Sequence, residues 1–238
     1  TFINNLIKVC EDNGYDGVDL DWEFPESATD RTNLNLLVMD MDSMFNAYNP
    51  DWLITMAVTT ANWFGQWHDF NTLKQYIDFF NAMTYGMHGT WTSHNGHNSP
   101  LYQSPGNDPE GSCHTGINYL TIYRGIPKSQ INMGVPFWGL EFNATEINGS
   151  FTGDIKDVRY TEIPSLIGNG WTRKWDEDAL VPYLVNDEKT KILTYDDPES
   201  MRLKSEYVIE RELGGMMIWA LGYDQTNNGQ ELIRSIKR

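Results

Sequence analysis

Positive charge is scarce in this sequence. Lys and Arg total 17 against 33 Asp and Glu in 238 residues, a formal net charge of -16. Such a chain has no electrostatic footprint for a phosphate backbone or an anionic bilayer, so neither a nucleic acid nor a membrane is expected as a partner. Long apolar runs are lacking as well, and none approaches the ~18 residues that span a bilayer. Cysteine is limited to Cys10 and Cys113. Cys10 sits in a helical pattern and reads as a small buried hydrophobe, while sequence alone does not decide a pairing with Cys113. No low-complexity segment or fixed-period repeat is present. G-x-S-x-G, P-loop, G-x-G-x-x-G and H-E-x-x-H patterns are absent, which leaves those chemistries without a motif. The chain opens Thr1-Phe2-Ile3 with no basic n-region or apolar h-region. A trimmed precursor or an internal piece of a longer protein is therefore expected.

What is present is globular. Hydrophobic residues make up 40% and charged residues 21%, and the length suits one large domain or a domain carrying an insertion. Phe2, Ile3, Leu6, Ile7 and Cys10 repeat at helical spacing until Gly14 stops the pattern. Residues 16–23 read as a strand and residues 30–47 as a second helix, with Leu34, Leu37, Met41, Met44 and Phe45 on one face. Leu73 to Phe80 reads as a short helical stretch. Trp52 to Val58, Phe79 to Tyr85, Gln130 to Trp138 and Gly215 to Leu221 are short apolar runs. Buried runs alternating with amphipathic helices predict βα units and a parallel sheet. Two regions break the rhythm. Residues 87–118 are rich in Gly, His, Ser, Asn and Pro and read as a long functional or mobile loop. Residues 140–197 carry Trp171, Trp175, Tyr183 and Tyr195 among polar residues and read as a small inserted α/β subdomain. Asn143-Ala-Thr145 and Asn148-Gly-Ser150 match the glycosylation pattern.

The sharpest feature is Asp16-Gly17-Val18-Asp19-Leu20-Asp21-Trp22-Glu23-Phe24-Pro25. Alternation along a strand sends Asp19, Asp21 and Glu23 to one face and Val18, Leu20 and Trp22 to the other. Three acids stacked on a buried strand repel one another and lose hydration. They fit only a polar cleft, where they titrate as a coupled set with one pKa raised toward neutrality. A carboxylic acid needs that shift to donate a proton near pH 7. An EF-hand would need Gly and Glu at its sixth and twelfth positions, and Phe24 and Asp30 stand there. A solvated acidic turn would leave Val18, Leu20 and Trp22 without burial. The stretch therefore reads as a sugar-processing acid cluster.

DGVDLDWEFP resembles the D-x-x-D-x-D-x-E signature of glycoside hydrolase family 18, the chitinases and their relatives. Asn81-Ala-Met83-Thr84-Tyr85 resembles the family's M-x-Y strand. Asn132 to Gly139 is similar to its seventh barrel strand, and Gly214 to Trp219 to its eighth. Tyr160 to Pro198 looks like the inserted subdomain of one chitinase subclass. The resemblance covers nearly the whole chain. It implies a (β/α)8 TIM barrel formed by 1–139 and 198–238, with a small α+β insertion at 140–197 between strands seven and eight. The acid strand is the fourth in that family but begins here at residue 16, so only strands four to eight are accounted for. The resemblance thus implies a C-terminal fragment of a barrel enzyme with two unpaired strand edges.

The resemblance also assigns roles. Glu23 becomes the acid that protonates the glycosidic oxygen and then the base that activates water. The family is substrate-assisted: the 2-acetamido oxygen attacks C1 and the product retains its anomeric configuration. Asp21 would hold the acetamide N–H, Asp19 would share a proton with Asp21, and Tyr85 would align the acetamide oxygen. Phe24, Met83, Thr84, Gly86, Trp91 and Trp219 are the expected substrate contacts, with Trp219 beneath the reacting sugar and Trp138 a weaker candidate. Pyranose C–H faces stack on aromatics, and the chain has nine Trp. Gly86 stands where the family usually has Asp, which bears on substrate binding and on the pH profile. His88, His94, His97 and His114 offer possible zinc ligands, but their spacing follows no fixed ligand pattern. Solvated loop histidines are the expectation, with no metal and no cofactor. The implied function is hydrolysis of β-1,4-linked N-acetylglucosamine polymers by an extracellular protein that is monomeric at full length. A chitin-binding lectin-like relative and an endo-β-N-acetylglucosaminidase acting on N-glycans are the alternatives.

Overall fold

A computed structural model of the chain describes residues 1–104 and 108–236. Residues 105–107 of the long loop and 237–238 at the end of the barrel portion lie outside the described residues. Along the chain, α1 (Phe2–Asn13) leads to β1 (Gly17–Leu20), α2 (Ala28–Tyr48) and β2 (Leu53–Val58). Two single-turn helices, α3 (Asn62–Gly65) and α4 (Phe70–Leu73), precede β3 (Phe79–Ala82). The long loop and α5 (Cys113–Asn118) then lead to β4 (Ile131–Pro136). Next come β5 (Trp138–Asn143), β6 (Thr152–Arg159), β7 (Trp171–Asp176), β8 (Val181–Asn186) and β9 (Ile192–Thr194). The chain finishes through α6 (Pro198–Glu210), β10 (Gly215–Trp219) and α7 (Glu231–Ser235).

Two sheets result. A parallel sheet runs in the order β1-β2-β3-β4-β10, and among the described residues β1 and β10 each pair on one side only. An antiparallel sheet runs in the order β6-β5-β9-β8-β7. The near-continuous apolar runs of β2 and β4 are buried along almost their whole length, as strands covered on both faces require. Leu34, Val38, Met41 and Phe45 form the buried stripe of α2, at spacings of three and four. Ser27 caps that helix by accepting the Asp30 N–H. Asp197 and Ser200 make a reciprocal capping box at the start of α6, with Pro198 in the first turn.

The structure departs from the sequence reading in four places. The expected strand over 16–23 keeps its ladder only through Gly17–Leu20, so Asp21 and Glu23 lie beyond its end. The expected helix from Leu73 to Phe80 is one turn that ends at Leu73, and Phe79 already belongs to β3. Between 138 and 194 the described residues hold no α-helix, only a 3-10 turn at Ile163–Ser165. Polar and apolar residues there alternate with a period of two, as in the half-buried strand β7, so the stretch pairs as sheet instead. Much of the loop over 87–118 is buried among the described residues. Asn95 to Pro100 are buried, and Asn95 and Leu101 donate their backbone N–H groups to the carbonyls of Gly149 and Ala179. Asn, Ser and His side chains satisfy the backbone there, so a segment without apolar period still packs.

One buried ion pair ties these parts together. Lys204 of α6 is fully buried, and its ammonium donates to Asp196 Oδ2 (2.7 Å), to the Ser99 carbonyl (2.6 Å) and to Ser99 Oγ (2.8 Å). Asp196 accepts a further hydrogen bond from Ser200 Oγ at 2.7 Å. All three ammonium protons are used, the condition under which a buried charge is tolerated. Lys204→Met leaves Asp196 buried without its counter-charge and is expected to cost about 3–5 kcal/mol in denaturant unfolding. The double variant Lys204→Met with Asp196→Leu is expected to recover most of that loss.

Candidate active site

The ends of the parallel strands create a cleft. Its volume is about 430 Å³, and Asp19, Asp21, Glu23, Met83, Tyr85 and Trp219 line it together with Ala57, Asn81, Trp138, Met217 and Ile218. Strand register explains the convergence. Asp19 on β1 lies opposite Thr55 on β2, Asn81 on β3 lies opposite Asn132 on β4, and Trp219 ends β10 opposite Pro136. In parallel α/β sheets the carboxyl ends of the strands are where ligands bind.

A polar chain crosses the sheet beneath the cleft. The Asn132 amide donates to Asn81 Oδ1 (3.1 Å), and the Asn81 amide donates to Asp19 Oδ1 (2.9 Å). Thr55 Oγ1 donates to the same Asp19 oxygen at 2.5 Å. Asp19 is thereby fixed by neighbouring strands of this chain. Gly215 backs the Asn132 amide, whose Oδ1 would lie 3.0 Å from any added Cβ.

Glu23 stands at the cleft wall with its carboxyl pKa raised. Partial loss of solvent contributes most, followed by repulsion from Asp21, with which it shares a hydrogen bond. Burial, then the charges of Asp21, Glu23 and Asp19, push the Tyr85 hydroxyl well above the usual tyrosine range. Tyr85 is therefore a neutral O–H donor at any working pH. Among the described residues that hydroxyl meets a distant sulfur, Met217 Sδ at 3.8 Å, which is a weak acceptor. The Trp138 ring meets Tyr85 edge-on, and its buried Nε1–H has no hydrogen-bond partner among the described residues.

Four expected contacts lie outside this lining. Thr84 is fully buried and donates to the Gly134 carbonyl at 2.6 Å, so it supports the cleft from behind. Phe24 stacks on Phe64 with ring centroids 4.7 Å apart. Trp91 stands on the loop, 70% exposed. Gly86 adopts a left-handed φ of +66°, donates its N–H to Asn98 Oδ1, and has open space where a side chain would begin. The acids themselves are exposed, and so is Trp22 between Asp21 and Glu23. Sequence reasoning missed Thr55 and Asn81 as supports of Asp19. Asn81 sits inside the M-x-Y stretch, and a polar residue at an inward strand position was the available signal. The histidines differ from expectation too. His88 and His97 are buried, His97 Nε2 lies 2.9 Å from Asp176 Oδ2, and His114 Nδ1 lies 3.0 Å from the Tyr207 hydroxyl.

Known proteins share this fold. A group IV chitinase from Ostrinia furnacalis, solved in complex with allosamidin, superposes with a TM-score of 0.90 at 28% identity, covering 99% of this chain and 70% of that one. The "Probable endochitinase" of Caenorhabditis elegans is 32% identical over 250 residues, 96% of this chain and 40% of that protein. Chitinase A1 of Niallia circulans is 27% identical over 98% of this chain and 38% of its own length. The chain thus spans about two fifths of these two relatives. Residues 1–224 match the sequence pattern of the glycosyl hydrolases family 18. By that match, and by a fold that carries its acids at the strand ends, the chain belongs to the glycosyl hydrolases family 18.

Proposed function

We propose that this chain carries a chitinase-type catalytic centre that hydrolyses β-1,4-linked N-acetylglucosamine polymers with retention at the anomeric carbon. The observation that carries the reading is the pairing of a raised Glu23 carboxyl with a neutral Tyr85 hydroxyl in one cleft. The allosamidin-bound Ostrinia chitinase and the two chitinase relatives support the substrate class. The five parallel strands correspond in this reading to the fourth to eighth strands of the family's barrel, with 140–197 as its insertion.

Each residue has a task. Glu23 holds its proton to a higher pH than a free carboxyl and delivers it to the glycosidic oxygen. The acetamido oxygen of the sugar then attacks C1, the C1–O bond breaks, and an oxazolinium ion forms. Tyr85 aligns the acetamide by donating to its oxygen. Asp21 accepts the acetamide N–H and balances the cation. Asp19, fixed by Thr55 and Asn81, offers its remaining oxygen to the Asp21 side. Glu23, now ionised, takes a proton from water as that water opens the ion at C1. Trp219 supplies an exposed indole face to the sugar ring, and the unpartnered Trp138 N–H offers a donor to a sugar oxygen.

Release of chromophore from a chitobiose glycoside tests the reading. Glu23→Gln is expected to lower the rate by about 10²-fold or more with folding intact. Turnover equal in the parent and Glu23→Gln proteins, or absent from both while chitooligosaccharide binds, would favour the lectin-like reading. Asp21→Asn removes the repulsion that helps hold Glu23 up, so the Glu23 carboxyl is expected to titrate at lower pH in a carboxyl NMR titration. Gly86→Asp adds a negative charge beside Tyr85. It is expected to move the alkaline limb of the pH–rate profile upward, because a nearby anion favours protonated Glu23. Its left-handed backbone costs about 1–2 kcal/mol at most, and Asp tolerates that region better than most residues. An unchanged profile would refute the assignment of position 86.

A further inference from the structure

The loop over 87–118 holds a cluster that the sugar chemistry does not use. His88, His94 and Asp108 place one ligand-type atom each within 4.8 Å of one another. His88 Nε2 and His94 Nε2 lie 3.3 Å apart. Asp108 Oδ2 is 3.0 Å from the first and Oδ1 is 3.1 Å from the second. Donor atoms bound tetrahedrally at about 2.0–2.1 Å stand roughly 3.3–3.4 Å apart, so the two imidazole nitrogens already have close to the spacing a zinc ion imposes, and each faces one oxygen of the same carboxylate.

Hydrogen bonding sharpens the point. His88 Nδ1 lies 2.9 Å from the His97 carbonyl. A carbonyl only accepts, so Nδ1 carries the hydrogen. A neutral His88 ring then turns the lone pair of Nε2 toward a carboxylate oxygen, acceptor against acceptor, inside a fully buried site. A cation between them resolves the conflict. An N–H donated to a backbone carbonyl from the far ring nitrogen is also the usual support of a metal-binding histidine. Gly96 completes the seat, since a Cβ there would come within 2.2 Å of His88 Nε2. The side chain at 94 is 18% exposed, which leaves an approach for the ion and room for a water as fourth ligand.

We propose that His88, His94 and Asp108 form a structural binding site for a divalent transition metal, Zn²⁺ by its imidazole and carboxylate donors. The site lies outside the cleft lining. His88 follows Tyr85 by three residues, so the bound ion anchors the loop that leaves the end of β3. The competing arrangement is a second proton on His88, which makes a buried imidazolium–carboxylate pair with no metal.

The test is metal content and Co²⁺ spectroscopy on the chain. After incubation with Zn²⁺ and dialysis against metal-free buffer, about one equivalent is expected to remain, and a chelator is expected to lower the Tm. Co²⁺ is expected to give the visible absorption of a tetrahedral site. His94→Gln, on the partly exposed side, is expected to weaken Zn²⁺ affinity by about 10-fold or more while circular dichroism is unchanged. Asp108→Asn serves in the same way if His94→Gln fails to fold. Less than a tenth of an equivalent retained by the parent protein, no visible Co²⁺ band, or folded variants that hold Zn²⁺ as tightly as the parent would each overturn the proposal. The first two outcomes would assign the cluster to the proton-linked pair. All of these readings are independent of glycoside hydrolysis.

Discussion

The ammonium of Lys204 joins two parts of the chain that lie far apart in sequence, 105 residues between Ser99 and Lys204. It reaches Asp196 after β9, its own helix α6, and Ser99 in the loop that follows β3. Ser99 Oγ in turn donates to the Thr84 carbonyl at 2.6 Å. Thr84 immediately precedes Tyr85. A charge that has no contact with the cleft therefore holds the backbone from which the cleft's hydroxyl donor projects. Removing such a charge from water is costly, and the cost is offset only when every proton finds an acceptor in one geometry. That requirement allows little tolerance in how the two sheets meet.

The two sheets contribute differently to the site. The parallel sheet supplies direction, because all its strands end on the same side and carry their terminal side chains there. The antiparallel sheet supplies closure. Its β5 begins with Trp138, one residue pair beyond the end of β4, so one side chain belongs to both the sheet junction and the cleft. The Asn98 amide donates to the Trp138 carbonyl at 3.0 Å, while Asn98 Oδ1 accepts the Gly86 N–H. One asparagine thus connects the backbone beside the tyrosine to the backbone of the tryptophan.

The sequence was legible where burial alone decides structure. β2 and β4 are runs that leave the chain no alternative to a covered strand, and the face of α2 follows a helical period. The acid stretch was legible for a chemical reason, since three carboxylates in alternation with Val18, Leu20 and Trp22 fit few environments. The local end of β1 was not legible, because it is set by pairing with a strand 36 residues away, as between Asp19 and Thr55. The loop over 87–118 was misread because its packing rests on amide and imidazole hydrogen bonds, which leave no hydrophobic period. Thr84 was read as a substrate contact, but it lies just beyond the end of β3 with its side chain fully buried. Its hydroxyl donates to the Gly134 carbonyl, while Tyr85 lines the cleft.

β1 pairs with β2 and with no other strand among the described residues, and it presents Asp19 exposed, with Asp16, Asp21 and Glu23 beside it. An open edge is a template on which a second copy can lay its own strand. Two such edges brought together would set carboxylate against carboxylate, in a chain already at -16. The acids at this edge therefore oppose its pairing with a second copy. The carboxylates that crowd one cleft thus also form an electrostatic barrier along the open edge of the sheet.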